Sequence, residues 1–148
     1  MIDTVCIIQA RMGSTRLPGK VMKPIKGRPI LAHCVSRLQQ SKEIDQVIVA
    51  TSVRESDDVI QEWCERNDVT CFRGSEDDVL DRYYQCAARA HAKTVVRATA
   101  DCPLLDPSVL DRMICFFRSN GQHSIVRNTW FYGAYPSGYD GEVFSMET

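Results

Sequence analysis

The chain has 148 residues, of which 44% are hydrophobic and 25% charged, and its formal net charge at pH 7 is -1. This length is typical of one domain that can bury a hydrophobic core. The near-neutral charge argues against a protein that binds nucleic acid or a membrane surface electrostatically, and no run approaches the roughly 18 apolar residues of a membrane span.

Strand-like and helix-like segments alternate along the chain, which predicts βαβ units, a mostly parallel sheet and helices on both faces. The predicted strands are Thr4–Ile8, Gln46–Ala50, Val69–Phe72, Thr94–Ala98 and Ser124–Val126. Four apolar faces with helical spacing lie between them: Leu31, Cys34, Val35 and Leu38; Val59, Ile60, Trp63 and Cys64; Leu80, Tyr83, Tyr84, Ala87 and Ala88; and Leu110, Met113, Ile114 and Phe117.

Two helix starts carry recognisable signals. Ser75 with Asp78 resembles a capping box, and Asp106-Pro107 is an N-cap followed by proline at the first helical position. Near the end, the apolar pair Val143-Phe144 indicates one more strand. We therefore expect residues 1–148 to form a single domain that is the N-terminal part of a longer chain.

A basic loop follows the first strand. Between residues 11 and 28 there are six basic side chains and no acidic one: Arg11, Arg16, Lys20, Lys23, Lys26 and Arg28. In the loop Ala10–Lys20 the charges alternate with Gly13, Ser14 and Thr15, so that backbone N–H groups, hydroxyls and guanidinium groups can meet one anion. This pattern favours a polyphosphate site over a merely solvated loop.

Two common phosphate-binding motifs do not fit this loop. Gly13 and Gly19 enclose five residues, where a Walker A loop has four, and Val21 stands where that motif needs a hydroxyl for magnesium. The chain also lacks a G-x-G-x-x-G dinucleotide fingerprint. It is therefore not predicted to be a P-loop NTPase.

Asp101 follows the fourth predicted strand, and Pro103 keeps the preceding residue out of helical geometry. Because ligands bind outside the carboxyl ends of parallel strands, Asp101 and the basic loop are expected at one edge of the sheet. A carboxylate beside a polyphosphate is repelled unless a divalent cation lies between them, which predicts Mg²⁺ there. The alternative is an aspartate that only forms a turn.

The seven cysteines are scattered, odd in number and never spaced as C-x-x-C. This fits neither a disulfide framework nor a zinc site, and it predicts a reducing, cytoplasmic location.

Five aromatic residues near the end of the chain can either stack a sugar or base or belong to the core or to a partner-facing surface. They are Trp130, Phe131, Tyr132, Tyr135 and Tyr139.

The segment 8–20, with the sequence IQARMGSTRLPGK, resembles the opening signature of the cytidylyltransferase family, which makes CMP-activated acid sugars. The segments 99–104 (TADCPL), 72–83 (FRGSEDDVLDRY) and 135–144 (YPSGYDGEVF) are similar to the spore-coat polysaccharide branch of that family. The resemblance implies a Rossmann-like, three-layer αβα fold of the nucleotide-diphosphosugar transferase (GT-A) type.

The resemblance also implies roles for particular residues. Arg11, Arg16 and Lys20 would hold the triphosphate of an NTP, with Ala10, Gly13, Ser14 and Thr15 in the same loop. Asp101 would bind Mg²⁺, with Asp140 as a further metal ligand. Arg73, Asp81 and Arg82 fall where relatives contact nucleotide, although Asp78 and Arg82 are also spaced as a helix-surface ion pair.

The expected reaction is transfer of a nucleoside monophosphate, CMP from CTP, to a sugar or acid sugar, with release of pyrophosphate, for surface polysaccharide or glycoconjugate biosynthesis. Arg16, Lys20 and Asp101 are the predicted catalytic residues, and the expected partners are CTP and a sugar, with a homodimer possible in the full-length protein. Two alternatives stay open: a GT-A glycosyltransferase that uses a nucleotide sugar, and a non-catalytic nucleotide-binding or assembly module.

Overall fold

The structure, a computed structural model, describes residues 3–121, 125–128, 135–136 and 138–146. Its main sheet has six strands in the order β5-β4-β1-β6-β8-β7, and a small ribbon pairs β2 with β3. The strands are β1 (Thr4–Gln9), β2 (Pro24–Ile25), β3 (Arg28–Pro29), β4 (Gln46–Ser52), β5 (Thr70–Gly74), β6 (Thr94–Thr99), β7 (Ile125–Arg127) and β8 (Glu142–Ser145).

The four α-helices are α1 (Ile30–Leu38), α2 (Asp58–Arg66), α3 (Val79–Arg89) and α4 (Pro107–Ser119), and short 3-10 turns cover Lys20–Met22 and Glu55–Asp57. Strands β5, β4, β1 and β6 run parallel, whereas β8 is antiparallel to both β6 and β7. The predicted mostly parallel, Rossmann-like α/β architecture is confirmed. Within the described residues, no helix has the length and apolar content needed to cross a membrane.

Two hydrophobic layers hold the helices against the sheet, because successive side chains of a strand point to opposite faces. Cys6 and Ile8 of β1 pack with buried residues of α1, α2 and α4 on one face. Val5 and Ile7 pack on the other face with Tyr83, Cys86 and Ala87 of α3. The side of the sheet away from α3 therefore carries three of the four helices.

The strands predicted from apolar runs are present, each with slightly different bounds. Ser124, the predicted start of the fifth strand, lies outside the described residues, and the observed strand begins at Ile125. The pair Val143-Phe144 lies in β8, as predicted. All seven cysteines are free thiols, and four of them are buried.

Four side chains predicted on buried helix faces are exposed, namely Leu80 (78%), Tyr84 (56%), Val59 (38%) and Ala88. On α3 the reason is a rotated face: Arg82, Tyr83, Cys86 and Ala87 are buried, whereas Leu80 and Tyr84 line a groove beside β8. On α2 the buried residues are Ile60 and Cys64, and Trp63 is partly buried and packs against the core. Helical spacing alone could not distinguish these neighbouring faces.

The two helix starts differ in how well they match their predictions. Asp106 is the N-cap of α4, accepting a hydrogen bond from Ser108 N at 2.8 Å, with Pro107 at the first helical position. Ser75 Oγ does accept from Asp78 N at 3.0 Å, but the N-cap of α3 is Asp78, whose carboxylate accepts from Asp81 N at 2.8 Å. The N-cap of α3 is therefore Asp78, three residues further along the chain than the predicted Ser75.

Candidate active site

A cavity of about 270 Å³ opens at the carboxyl ends of β1 and β6. The two strands end together because they are parallel neighbours, with Gln9 opposite Thr99, and Ala100 N donates to Gln9 O at 3.0 Å beyond the last pair. The cavity is lined by Gln9, Arg11, Ser14, Thr15, Arg16, Lys20, Val21, Arg97, Thr99, Ala100 and Asp101. Five of the seven loop residues predicted to bind the anion therefore line this one cavity.

The basic loop folds back on itself around the peptide groups of Met12. Met12 O accepts hydrogen bonds from Ser14 N at 2.8 Å and from Gly19 N at 3.1 Å, so both arms of the loop meet there. Gly19 has a φ of 67°, a left-handed conformation that glycine adopts without steric cost, and the Lys20–Met22 turn begins directly after it. This fold brings Lys20, at the end of the loop, close to the strand from which Arg11 emerges.

Lys20 and Asp101 join the two sides of the cavity. Lys20 Nζ lies 2.5 Å from Asp101 Oδ2, with the two side chains 28% and 41% exposed. Burial alone would raise the pKa of Asp101, but hydrogen bonds from Lys20 and Thr99 and the charge of Lys20 hold it below 3.8. The carboxylate is therefore ionised at neutral pH and already faces a cation.

Asp140, the second proposed metal ligand, lies near this edge but does not line the cavity. Its Oδ2 accepts from Gly138 N at 3.3 Å. Burial, followed by the charges of Asp101 and Asp140, raises the pKa of the Cys102 thiol, so both carboxylates lie within electrostatic range of residue 102. Within the described ranges, no group of three or more His, Cys, Asp or Glu residues is arranged to hold a metal.

Arg73 does not line the cavity, because its guanidinium is occupied elsewhere. It donates to Ser52 O at 2.9 Å, to Arg54 O at 2.7 Å, to Asp58 Oδ1 at 2.5 Å and to Gln61 Oε1 at 2.9 Å. These contacts tie the end of β5 to the start of α2. The structure supports a fold-stabilising role for Arg73.

Arg82 and Asp81 also lie outside the cavity lining. Arg82 is fully buried and donates to Ser75 O at 2.6 Å, while its Nε and Nη2 have no partner among the described residues. Burial lowers the pKa of Arg82, and the nearby charge of Arg11 lowers it further. Asp81 Oδ1 accepts from Gln85 Nε2 at 3.1 Å on the surface. The alternative prediction of a helix-surface ion pair between Asp78 and Arg82 is therefore wrong, since Arg82 is buried and Asp78 caps the helix.

Ala10 and Gly13 belong to the loop but do not line the cavity. Ala10 is 1% exposed, and its N–H donates to Ala50 O at 3.1 Å, which extends the β1–β4 pairing into the loop. A Cβ added at Gly13 would meet only Glu76 Oε1 at 3.8 Å, an ordinary contact. Crowding within the chain therefore does not require a glycine at position 13.

Two members of the aromatic cluster are described, and both contact other parts of the chain. Tyr135 packs partly against the core, and its hydroxyl accepts from Arg112 Nη2 at 3.1 Å. Tyr139 O accepts from Asn128 Nδ2 at 2.6 Å. The remaining members, Trp130, Phe131 and Tyr132, lie outside the described residues.

Sequence reasoning missed three polar residues that line the cavity, namely Gln9, Arg97 and Thr99. Gln9 Oε1 is buried and has no hydrogen-bond partner among the described residues, so it can accept from a ligand. Arg97 donates to Glu142 Oε2 at 3.0 Å and lies over the ring of Tyr83. The parallel pairing of β1 and β6 could have indicated these positions, since Gln9 and Thr99 end the two strands.

A model of the cytidylyltransferase family matches residues 5–133. Over 148 residues, 97% of this chain and 59% of the relative, the chain is 39% identical to spore coat polysaccharide biosynthesis protein SpsF of Bacillus subtilis. Over 108 residues, 73% of this chain and 42% of the relative, it is 32% identical to 3-deoxy-manno-octulosonate cytidylyltransferase of Geobacter metallireducens. The chain thus spans less than two thirds of the length of these relatives.

Solved structures show the same likeness. A cytidylyltransferase from Leptospira borgpetersenii superposes with a TM-score of 0.92 at 38% identity, covering 99% of this chain and 62% of that one. CMP:2-keto-3-deoxy-manno-octonic acid synthetase complexed with CTP superposes with a TM-score of 0.77 at 20% identity, covering 98% and 75%, a likeness of fold alone. Because the family model spans most of the sequence and the fold agrees, the chain belongs to the cytidylyltransferase family.

Proposed function

We propose that this chain supplies the nucleotide-binding part of an enzyme that transfers CMP from CTP to a sugar acid and releases pyrophosphate. The observation that carries the proposal is the contact between Lys20 Nζ and Asp101 Oδ2 at 2.5 Å. It brings the basic loop to the same cavity as the loop between β6 and α4 that carries Asp101, called here the acidic loop. Membership of the cytidylyltransferase family supports CTP as the nucleotide. The name of the Geobacter relative supports a sugar acid as the acceptor.

The triphosphate is assigned to the basic loop. Arg11, Arg16 and Lys20 all line the cavity and supply the positive charge that three phosphate groups need. Ser14 Oγ accepts from Leu17 N at 3.3 Å, which leaves its own hydroxyl hydrogen available for a phosphate oxygen. Each charge-assisted bond contributes about 1.5–3 kcal/mol, so loss of one weakens binding about tenfold or more.

The donor set of the acidic loop fits a hard divalent cation. Asp101 is ionised and partly exposed, and it already pairs with the amine of Lys20, so its carboxylate can bind a cation. Mg²⁺ is commonly held by one or two carboxylates together with substrate phosphates, which agrees with Asp101 and, second, Asp140. When bound, the ion would polarise the phosphate oxygens and stabilise the developing negative charge.

The reaction is an in-line displacement at the α-phosphorus of CTP. A hydroxyl oxygen of the sugar acid forms the new P–O bond, its proton passes to solvent, and the bond from the α-phosphorus to the bridging oxygen breaks. Pyrophosphate leaves with that electron pair. Arg16 and Lys20 neutralise its charge, and the fixed loop holds the leaving group in line, so positioning and electrostatics supply the catalysis.

A thermal-shift panel tests the proposal with CTP, UTP, ATP and GTP, each with and without Mg²⁺. We expect CTP with Mg²⁺ to stabilise the chain most. The Lys20→Met variant should lose this stabilisation, whereas Lys23→Met, a control in the same basic stretch but outside the cavity lining, should keep it. Equal stabilisation by all four nucleotides, or none by any, would contradict the proposal.

Product analysis separates this reaction from glycosyl transfer. Full-length protein given CTP, Mg²⁺ and a panel of sugar acids should release pyrophosphate and form a CMP-sugar. A glycosyltransferase would instead consume a nucleotide sugar and release a nucleoside diphosphate. Release of a nucleoside diphosphate with no pyrophosphate would assign the site to that second reaction.

A further inference from the structure

Asp57 is a buried carboxylate next to the basic loop that no role described so far includes. It is 2% exposed and stands at the junction of the 3-10 turn Glu55–Asp57 and α2. Oδ2 accepts from Thr51 Oγ1 at 3.0 Å, from Ser52 N at 3.2 Å and from Ser52 Oγ at 2.6 Å. Oδ1 accepts from Met12 N at 2.8 Å. The carboxylate therefore links the end of β4 to the basic loop.

Asp57 makes these bonds in place of the usual contact at its position. An aspartate at the N-cap of a helix normally accepts a hydrogen bond from an N–H group of the first turn. Asp57 is the N-cap of α2 but makes no such side-chain bond. One of its oxygens instead accepts from Met12, 45 residues earlier in the chain. Support of its own helix alone does not explain this arrangement.

Met12 is the point at which a single contact can hold the whole loop. Its carbonyl oxygen accepts from Ser14 N and Gly19 N, so its peptide groups connect the outgoing and returning arms. Arg11 precedes Met12, Arg16 lies within the stretch that these bonds close, and Lys20 directly follows Gly19 at its end. Fixing Met12 N therefore fixes the base from which the three cationic side chains reach the cavity.

The charge of Asp57 is retained in this buried place. Burial alone would raise the pKa of Asp57, but hydrogen bonds from Ser52, Met12 and Thr51 together hold it below 3.8. A charge-assisted hydrogen bond is about twice as strong as one between neutral groups. The anchor on Met12 is therefore a strong one.

We infer that Asp57 is a positioning residue that pre-organises the basic loop for polyphosphate by holding the N–H group of Met12. The inference rests on the proposed function for the identity of the ligand. It assigns no contact between Asp57 and the nucleotide. Its effect on binding comes from the loop, which would otherwise have to be ordered at the expense of binding free energy.

Three variants separate positioning from stability alone. Asp57→Ala removes the acceptor for Met12 N, and Asp57→Asn keeps an oxygen that can accept there. Thr51→Val, the matched control, removes one donor to Oδ2 and leaves the Met12 contact intact. Dissociation constants for CTP with Mg²⁺ and for inorganic tripolyphosphate are measured by calorimetry well below each melting temperature.

We expect Asp57→Ala to raise both dissociation constants about tenfold or more, because the loosened loop no longer maintains at least one of its own charge-assisted contacts to phosphate. Asp57→Asn should recover much of this loss, and Thr51→Val should bind as the unmodified chain does although it melts lower. If affinity falls in proportion to the melting temperature in all three variants, the effect is one of stability and the inference is wrong. The inference is also wrong if affinity falls in no variant. Binding of tripolyphosphate without preference for CTP would refute the proposed nucleotide and leave this comparison intact.

Amide hydrogen exchange of the unmodified chain provides a test that needs no folded variant. With its N–H bound to a buried carboxylate, Met12 should exchange slowly without ligand, as slowly as the neighbouring β1 amides and more slowly than Ser14 or Lys20. Rapid exchange of Met12 that slows only when tripolyphosphate is added would mean that the ligand orders the loop. That result would overturn the inference.

Discussion

Replacing Asp101 by asparagine is expected to leave the fold almost unchanged and to remove the Mg²⁺-dependent part of nucleotide binding. The side chains of Lys20 and Asp101 are 28% and 41% exposed, so solvent screens their contact. Screened pairs of this kind contribute about 0–1 kcal/mol. For a domain of this size, 1 kcal/mol corresponds to about 2–4 °C in melting temperature. The ligand-free variant should therefore melt within about 4 °C of the unmodified chain.

The ligand effect should be larger than this difference. A ligand present at a hundred times its dissociation constant stabilises the folded state by about 2.7 kcal/mol. At about 2–4 °C per kcal/mol, that amounts to a rise of about 5–11 °C in the unmodified chain with CTP and Mg²⁺. Asp101→Asn should show the same melting temperature for CTP with and without Mg²⁺, because a neutral amide is a poor ligand for a hard cation.

Differential scanning fluorimetry measures both quantities, and Asp106→Asn is the matched control. Asp106 lies five residues further along the same loop, and its Oδ1 caps α4 through Ser108 N at 2.8 Å. Asparagine caps a helix as well as aspartate does, so this control should keep both its stability and its Mg²⁺ response. If Asp101→Asn retains a Mg²⁺-dependent shift as large as the control's, the assignment of the metal to Asp101 is wrong.

Three further predictions follow from the fold. Gly19→Ala places a side chain at a φ of 67° and should cost about 1–2 kcal/mol of unfolding free energy in urea titrations, with weaker CTP binding; unchanged stability would contradict the left-handed turn. Leu110→Ala, in the core between α4 and the sheet, should cost about 2–5 kcal/mol in the same titration and leave the affinity for CTP unaltered, unlike a change in the loop. Hydrogen bonds from two backbone amides lower the pKa of Asp45 from 3.8, so its contribution to stability is present above that pH and is lost as pH falls through the folded value; Asp45→Asn should flatten the melting-temperature profile in this acidic range, and an unchanged slope would refute the linkage.

The parts of the molecule that follow from local pattern could be predicted from the sequence. Short apolar runs identified the central strands, and an aspartate followed by proline identified the start of α4. The meeting of Lys20 with Asp101 could also be anticipated, because the carboxyl ends of adjacent parallel strands lie at one edge. In each case the information lay in a few neighbouring residues or in one rule of topology.

The contacts that the sequence did not reveal join residues far apart in the chain. Asp57 is the N-cap of α2, yet its carboxylate accepts from Met12 N, 45 residues earlier. Arg82 has the spacing of a surface ion pair, yet it is fully buried, whereas Leu80 is 78% exposed. Which of two adjacent faces a helix buries depends on how it lies on the sheet, and periodicity alone does not encode that angle.

The order of the strands explains why the cavity lies between β1 and β6. From β1 the chain moves outward to β4 and then β5, and it returns to place β6 on the opposite side of β1. Connections on the two sides therefore diverge above β1 and β6, which leaves a crevice at this switch point. The loops that leave these two strands carry Arg11, Arg16 and Lys20 on one side and Asp101 on the other. Since the screened Lys20–Asp101 contact contributes only about 0–1 kcal/mol, and a charge-assisted bond to phosphate about 1.5–3 kcal/mol, a triphosphate can replace it without a large cost.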